Sequence, residues 1–337
     1  MPTKKTNVKI AITSGDQDGS GPEVTAKALS KLGPQLGVHF YLWRSPGVGK
    51  RHLSLIDKKF KRITFPSWAE AFKHSLGSPR ELIDVNSVTP PPKWVESAAE
   101  AGRFGHIHAL VTAPLSKTLI WDSGMKDVGH TEILARVCSR YDLFMSFLGK
   151  NFSVLLATGH IPLRSVNEKV DKRILKMALR AANDLNIMLD PKGKKSVALV
   201  GLNPHSGEFG LIGDNEIKTF NPALLELQKE HGLKIAGPLV PDAAFLRGNW
   251  KKYGVYVSPY HDQGLIALKV VHQHKSGCHM TMGLPFIRTS VEHGTAKDIF
   301  GKNRANESSM KDAITWAIHL SKNSFRTDSF LTEIKNA

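Results

Sequence analysis

The chain is 337 residues long, 41% apolar and 23% charged, with a formal net charge of +16. That length holds two domains with separate cores, and the balance excludes disordered and fibrous classes. The two cysteines, Cys138 and Cys278, lack CxxC spacing and exclude a disulfide framework, which points to a reducing compartment; no apolar run nears the roughly 18 residues of a membrane span.

The N-terminus is basic, as in a signal peptide, yet its apolar run Val8 to Ile12 is short and broken by Lys9. It reads as the first strand of a cytoplasmic protein. Further strands are expected over Val38–Trp43, His108–Thr112, Val154–Thr158, Val197–Leu202 and Val255–Ser258. Helix-period segments alternate with them: Glu23–Leu32, Glu132–Tyr141, Lys172–Asn186, Glu216–His231 and Ser309–Ser321. Pro22 and Glu23 suit the opening turn of the first helix. The alternation predicts α/β layers around a largely parallel sheet. The proline-rich stretch Leu76–Lys93 reads as a surface connection. The densest basic cluster, Lys58, Lys59, Lys61 and Arg62, holds one aromatic, Phe60, and no nucleic-acid motif. The positive charge therefore reads as a solvated surface suited to a small anionic substrate, with neither nucleic acid nor membrane as partner.

Most of the unusual polar clusters follow an apolar strand directly: ITSGDQDGSGPE, VTAPLSK, GH at 159–160, NPHSGE and YHDQG. In open α/β sheets the carboxyl ends of strands line the ligand crevice, so these loops are expected to face one site. His160, His205 and His261 each follow a different strand. Three neutral imidazoles suit a divalent metal with an open position for substrate. The alternative is three capped loop residues, and no HExxH-type spacing decides between them. Asn203, Asp262 and Gln263 flank them as candidate hydrogen-bond partners, whereas His106, His108, His272 and His274 lack that setting and read as structural or surface residues.

The segment Gly15–Gly21 is not GxGxxG, and no acidic residue closes a second strand about 20 residues on. It is either a tight strand-to-helix turn or an anion site at a helix N-terminus. The segment His293–Asn306, HGTAKDIFGKNRAN, is rich in small residues and amides, as a loop around a nucleotide would be, or as an ordinary loop.

Taken together, TSGDQDGSGPE, VTAPLSK, GHTEILA, LNPHSGEFGLIGDNE, GPLVPDAAF, YHDQGLIALK and GLPFIRTSVEHGTAKDIFGKNRAN resemble the 4-hydroxythreonine-4-phosphate dehydrogenase family of vitamin B6 synthesis, with its acid-sugar phosphate relatives. The resemblance runs nearly the whole chain. It implies two α/β/α domains with a cleft between them, like isocitrate and isopropylmalate dehydrogenases. With approximate boundaries, the first would span 1–129 plus 285–337 and carry the cofactor segments; the second would span 130–284 and carry metal, substrate and dimer contacts. It implies a homodimer with a shared active site, NAD or NADP as cofactor, and a divalent metal (zinc, magnesium or cobalt) on His160, His205 and His261. Substrate contacts carry over to His130, Thr131, Lys269 and Arg288. Cofactor contacts carry over to Gly15, His293, Gly294, Thr295, Ala296, Asp298 and Asn306.

Three departures stand out. The family's GDPAGIGPE is here GDQDGSGPE, changing Gln17, Asp18 and Ser20. His279 replaces a substrate-contacting asparagine. The stretch Val270–His279 is one residue longer and lacks the family's glycine-rich turn.

On this reading the metal lowers the pKa of the substrate hydroxyl during hydride transfer, and the resulting β-keto acid loses CO2. Lys117 and Asp242 are candidates for proton transfer, or else surface and salt-bridging residues. Lys269 and Arg288 suit a phosphate or carboxylate. The expected reaction turns 4-phosphooxy-L-threonine into 3-amino-2-oxopropyl phosphate. The alternatives are an erythronate or threonate 4-phosphate dehydrogenase, or an inactive basic binding protein on the same scaffold.

Overall fold

The computed structural model describes residues 7–273 and 278–324. His274 and the middle of the Val270–His279 departure lie outside the described residues. Two compact units result, Met1–Leu143 with Leu284–Ala337, and Phe144–Gly283.

The first unit contains β1 (Val8–Thr13), β2 (Val38–Arg44), β3 (Lys61–Phe65), β4 (Glu81–Asn86) and β5 (Ala109–Thr112). The second contains β6 (Phe144–Leu148), β7 (Ser153–Leu156), β8 (Ser196–Val200), β9 (Ile235–Leu239), β10 (Tyr253–Ser258) and β11 (Cys278–Met282), after which β12 (Ile287–Ser290) returns to the first. Strand order in the first unit is β3-β4-β2-β1-β5-β12, parallel throughout. In the second it is β11-β6-β7-β10-β8-β9. Here β7, β10, β8 and β9 run parallel, while β6 is antiparallel to both β7 and β11.

The central strands are buried on both faces, as parallel sheets covered by helices require. All six residues of β1 except Lys9 are buried, and so are all four of β7. Side chains such as Trp43, Trp94 and Phe286 fill the core of the first unit. Phe152, Tyr256 and Leu268 do the same in the second. The helix Gly21–Leu32 takes proline in its first turn, as expected.

Two expectations need correction. The stretch Leu76–Lys93 is not a surface connection throughout. It contains β4, whose Asp84 is fully buried because Arg44 grips it with two hydrogen bonds of 2.8 and 2.7 Å and Arg62 adds a third of 2.6 Å. Pro91 and Pro92 open the helix Pro91–Arg103, where missing N–H groups cost nothing. Arg62 of the basic cluster is thus an ion-paired structural residue. The helix expected over Glu216–His231 begins as a π-helical turn, Glu216–Phe220, with Pro222 opening the α-helix Asn221–His231. The two compact units divide at 143/144. The helix His130–Cys138 belongs to the first unit because its Ile133, Leu134 and Val137 join that core, and Arg103 Nη1 donates to Val137 O at 2.7 Å.

His108 and His272 are structural, each for a local reason. His108 Nδ1 accepts from Lys9 N–H at 2.9 Å, and burial pushes its pKa down to about 4. His272 Nε2 accepts from Asn151 N–H at 3.1 Å, and burial lowers its pKa as well. A ring kept neutral when folded takes up a proton near its ordinary pKa of about 6.5 once unfolded. Stability is then full above about pH 6.5 and is lost as pH falls towards 4. Urea unfolding from about pH 7 to about 4.5 should show this decline, and His108→Asn should flatten it. An unchanged slope in the variant rules out His108 as a source.

Candidate active site

In the second unit β7, β10 and β8 are consecutive neighbours and parallel, so their carboxyl ends share one sheet edge. His160 follows β7, His261 follows the central β10, and His205 follows β8. Adjacent strands lie about 4.8 Å apart. The rings of His160 and His261 accordingly approach to 5.0 Å between centroids.

The helix His261–His272 starts directly at the end of β10. Its Gly264 is required by close approach: a Cβ there would meet Val154 Cγ1 at 2.4 Å and Ser258 Oγ at 2.8 Å. His261 Nδ1 lies 2.7 Å from Asp262 Oδ1. A carboxylate on Nδ1–H leaves Nε2 as the lone-pair donor, which is the arrangement of metal-binding histidines. Gln263 Nε2 donates to Gly201 O at 2.8 Å, tying the β10 loop to the β8 loop.

His205 occupies an unusual turn. Five consecutive residues, His205 to Phe209, have positive φ values of 51, 52, 79, 42 and 56°. Four of them carry side chains, each at a cost of roughly 1–2 kcal/mol in the left-handed region. Glu216, 2% exposed, supplies the compensation. Its Oε1 accepts from Leu202 N–H at 2.8 Å and Asn203 N–H at 2.9 Å, and its Oε2 accepts from Asn203 Nδ2 at 2.9 Å. Asn203 and Gln263 thus hold loops, while Asp262 orients an imidazole. Sequence reading took Glu216 only as a helix start; its place at the end of LNPHSGEFGLIGDNE was the available signal.

The structure therefore pairs His160 with His261. Among the described residues of one chain, no three His, Cys, Asp or Glu side chains come together as a metal site, and His205 does not complete the pair. The imidazole pair itself fits a divalent cation by donor chemistry and by the orientation of His261.

Other candidates in this unit lie apart along the chain. Asp242 is exposed in the short helix Pro241–Ala244. Lys269 is exposed eight residues into the helix from His261, about 12 Å along its axis and some 80° around it. His279 lies on β11 with its ring 5.3 Å from that of Phe147.

In the first unit the two candidate cofactor segments pack on each other. Gly15 has φ +71°, and a Cβ there would meet Pro114 O at 2.3 Å, so the turn after β1 admits only glycine. Ser20 N–H donates to Thr295 O at 2.7 Å. Glu23 Oε1 accepts from Ala305 N–H at 2.9 Å, and Lys27 Nζ donates to Ala305 O at 2.9 Å. Ala296 is left-handed, His293 Nδ1 lies 2.9 Å from Gly294 O, and Asn306 Oδ1 accepts from Ser308 N–H at 2.9 Å at the start of the helix Ser308–Ser324. Gly294 and Asp298 are exposed. Arg288 is buried on β12, with Nη2 donating to Thr112 Oγ1 at 2.7 Å. Lys117 is the exposed first residue of the helix Lys117–Asp122, and His130 and Thr131 open the helix His130–Cys138.

Comparison with known proteins gives this scaffold its class. The family described as "Pyridoxal phosphate biosynthetic protein PdxA" matches residues 82–317. The chain is 35% identical over 331 residues to the 4-hydroxythreonine-4-phosphate dehydrogenase of Sulfurihydrogenibium sp., covering 94% of this chain and 99% of the relative. It is 32% identical over 327 residues to the D-threonate 4-phosphate dehydrogenase of Pectobacterium atrosepticum, covering 92% and 98%. A crystal structure of a 4-hydroxythreonine-4-phosphate dehydrogenase from Burkholderia phymatum matches with a TM-score of 0.78 at 28% identity, covering 93% of this chain and 98% of that one. The protein is thus an oxidoreductase acting on a CH–OH group. Within that class, the chain belongs to the PdxA family.

Among the described residues, no helix is long and apolar enough to cross a membrane.

The Glu216 anchor has a measurable consequence. Glu216→Ala strands buried N–H donors and should cost about 2–4 kcal/mol in urea unfolding, with amide exchange around His205 accelerating. Glu216→Gln should recover part of this. Stability within about 0.5 kcal/mol of wild type in the alanine variant would show that the turn is held by something else.

Proposed function

We propose that the chain oxidises the secondary alcohol of a four-carbon, 4-phosphorylated hydroxy acid with NAD or NADP, and that the product then loses CO2. The leading substrate is 4-phosphooxy-L-threonine, giving 3-amino-2-oxopropyl phosphate in vitamin B6 synthesis. The observation that carries this reading is the His160–His261 pair at neighbouring strand ends in a chain of this family.

His160 and His261, joined by His205 in the assembled enzyme, would hold zinc, magnesium or cobalt, which supplies a Lewis acid for the substrate oxygens. The nicotinamide ring, when bound along Gly15 and the segment His293–Asn306, supplies the hydride acceptor. The remaining work falls to side chains of this chain. Arg288 and Lys269 bind the carboxylate and phosphate, the guanidinium by a two-pronged contact and the ammonium as a point charge. His130 and Thr131 add donors at the positive end of their helix. Lys117 and Asp242 take and return the protons: one leaves the hydroxyl as hydride departs from the same carbon, and one is delivered to the carbon left by CO2. Loss of CO2 is easy because the new ketone lies β to the carboxylate and takes up its electron pair as an enolate.

A homodimer with a shared site accounts for the third imidazole. Its support is the exposed apolar surface beside His205, where Phe209 is 96% and Leu211 85% exposed.

A second reading, an erythronate or threonate 4-phosphate dehydrogenase, is favoured by His279 in place of an amide. The Pectobacterium relative, named for D-threonate 4-phosphate, also supports it.

The test is NADH or NADPH formation against a panel of 4-phosphorylated four-carbon hydroxy acids with and without an amino group, before and after chelation. Highest kcat/KM on the amino acid, abolished by chelation and restored by zinc, cobalt or magnesium, is the expected result. Preference for an acid lacking nitrogen selects the second reading. No reduced cofactor from any member, or full activity in metal-free protein, refutes the proposal.

A further inference from the structure

Lys297 lies between two carboxylates of the turn after β1. Its Nζ is 2.9 Å from Asp18 Oδ2 and 3.5 Å from Asp16 Oδ2. The two partners differ in environment. Asp16 is fully buried, and its Oδ1 accepts from Ser116 N–H at 3.1 Å. Its Oδ2 is sealed from solvent without a hydrogen bond, since 3.5 Å to Lys297 is an ionic contact rather than a good hydrogen bond. The side chains of Asp18 and Lys297 are 62% and 46% exposed, so their pair is an exposed and easily exchanged one.

The pair is not what holds the two segments together. Ser20 N–H on Thr295 O, and Glu23 and Lys27 on Ala305, do that through buried or half-buried bonds independent of Lys297. Asp18 also stands where the family's GDPAGIGPE has alanine, so the turn does not require a carboxylate there. The same turn carries a further orphan, Ser20 Oγ, which is sealed from solvent without a hydrogen-bond partner. A cation on a flexible stem, with an exposed and dispensable counter-ion and an unpartnered hydroxyl donor in the turn that it contacts, is placed to receive an anion.

We propose that Lys297 is a binding residue for the pyrophosphate of the dinucleotide, and that Asp18 is its resting counter-ion, displaced when the dinucleotide arrives. This inference rests on the cofactor reading above. No bond is made or broken; the ammonium exchanges a carboxylate for a phosphate oxygen while Asp16 keeps it at the turn.

Competition for one cation fixes the sign of each substitution. Without Asp18, Lys297 keeps only its longer contact with Asp16 and a repelling charge is gone, so the dinucleotide binds more tightly. Without Lys297, two carboxylates face an anion and binding weakens. A merely structural clamp would weaken with either change.

Calorimetric titration of the full chain with NAD, NADP and ADP-ribose, at about 50 and about 200 mM salt, tests this. Asp18→Ala should lower Kd about threefold or more, Lys297→Ala should raise it about tenfold, and Lys297→Arg should stay within about threefold of wild type. The salt dependence should shrink in Lys297→Ala. Equal weakening by Asp18→Ala and Lys297→Ala, or no change in either, overturns the inference and leaves the cofactor reading standing. Wild-type protein that binds none of the three overturns both.

Discussion

The parallel pairing of β10 between β7 and β8 is the constraint on which the proposed chemistry depends. Parallel strands end on the same edge, and their spacing is fixed by backbone hydrogen bonds. A side chain that follows one strand end can therefore lie within a few ångströms of one that follows the next, provided the loop between does not carry it away. His160 and His261 meet in this way. The tight seat of the helix His261–His272, which Gly264 permits, then fixes where the His261 ring begins.

Delivery by strand ends leaves irregular loops whose backbone groups need partners. This fold answers with buried acceptors rather than more secondary structure. Glu216 collects three N–H groups and thereby sustains a left-handed turn that few residues would adopt unaided. Gln263 links that turn's root to the end of β10. In the first unit Asp16 and Glu23 serve the same purpose, accepting from Ser116 and Ala305. The residues around the site are thus divided between those that can touch a ligand and those that hold a loop in shape for it.

Much of this was legible in the sequence where the signal is local. Short apolar runs announced β1, β2, β5, β7, β8 and β10, and the polar clusters after them announced the loops. β3 and β4 were not legible, because their residues are polar or interrupted by charge. Asp84 can sit in a strand only because Arg44 and Arg62 come to it from β2 and β3, which no window along the chain reveals. The helix His261–His272 was hidden behind a motif that reads as a loop, since its N-terminal turn is polar. Lys297 escaped for a sharper reason: its partner Asp18 is 279 residues away. The histidines were visible one at a time. Their grouping was not, because strand order is a property of the folded sheet, and His205 shows that following a strand does not by itself bring a ring to the others.

The most direct test of this account is an anomalous difference map from crystals loaded with zinc. The account predicts a single strong peak bound by the imidazoles of His160 and His261 at the carboxyl ends of β7 and β10. Zinc held elsewhere, with those two rings uninvolved, would contradict it.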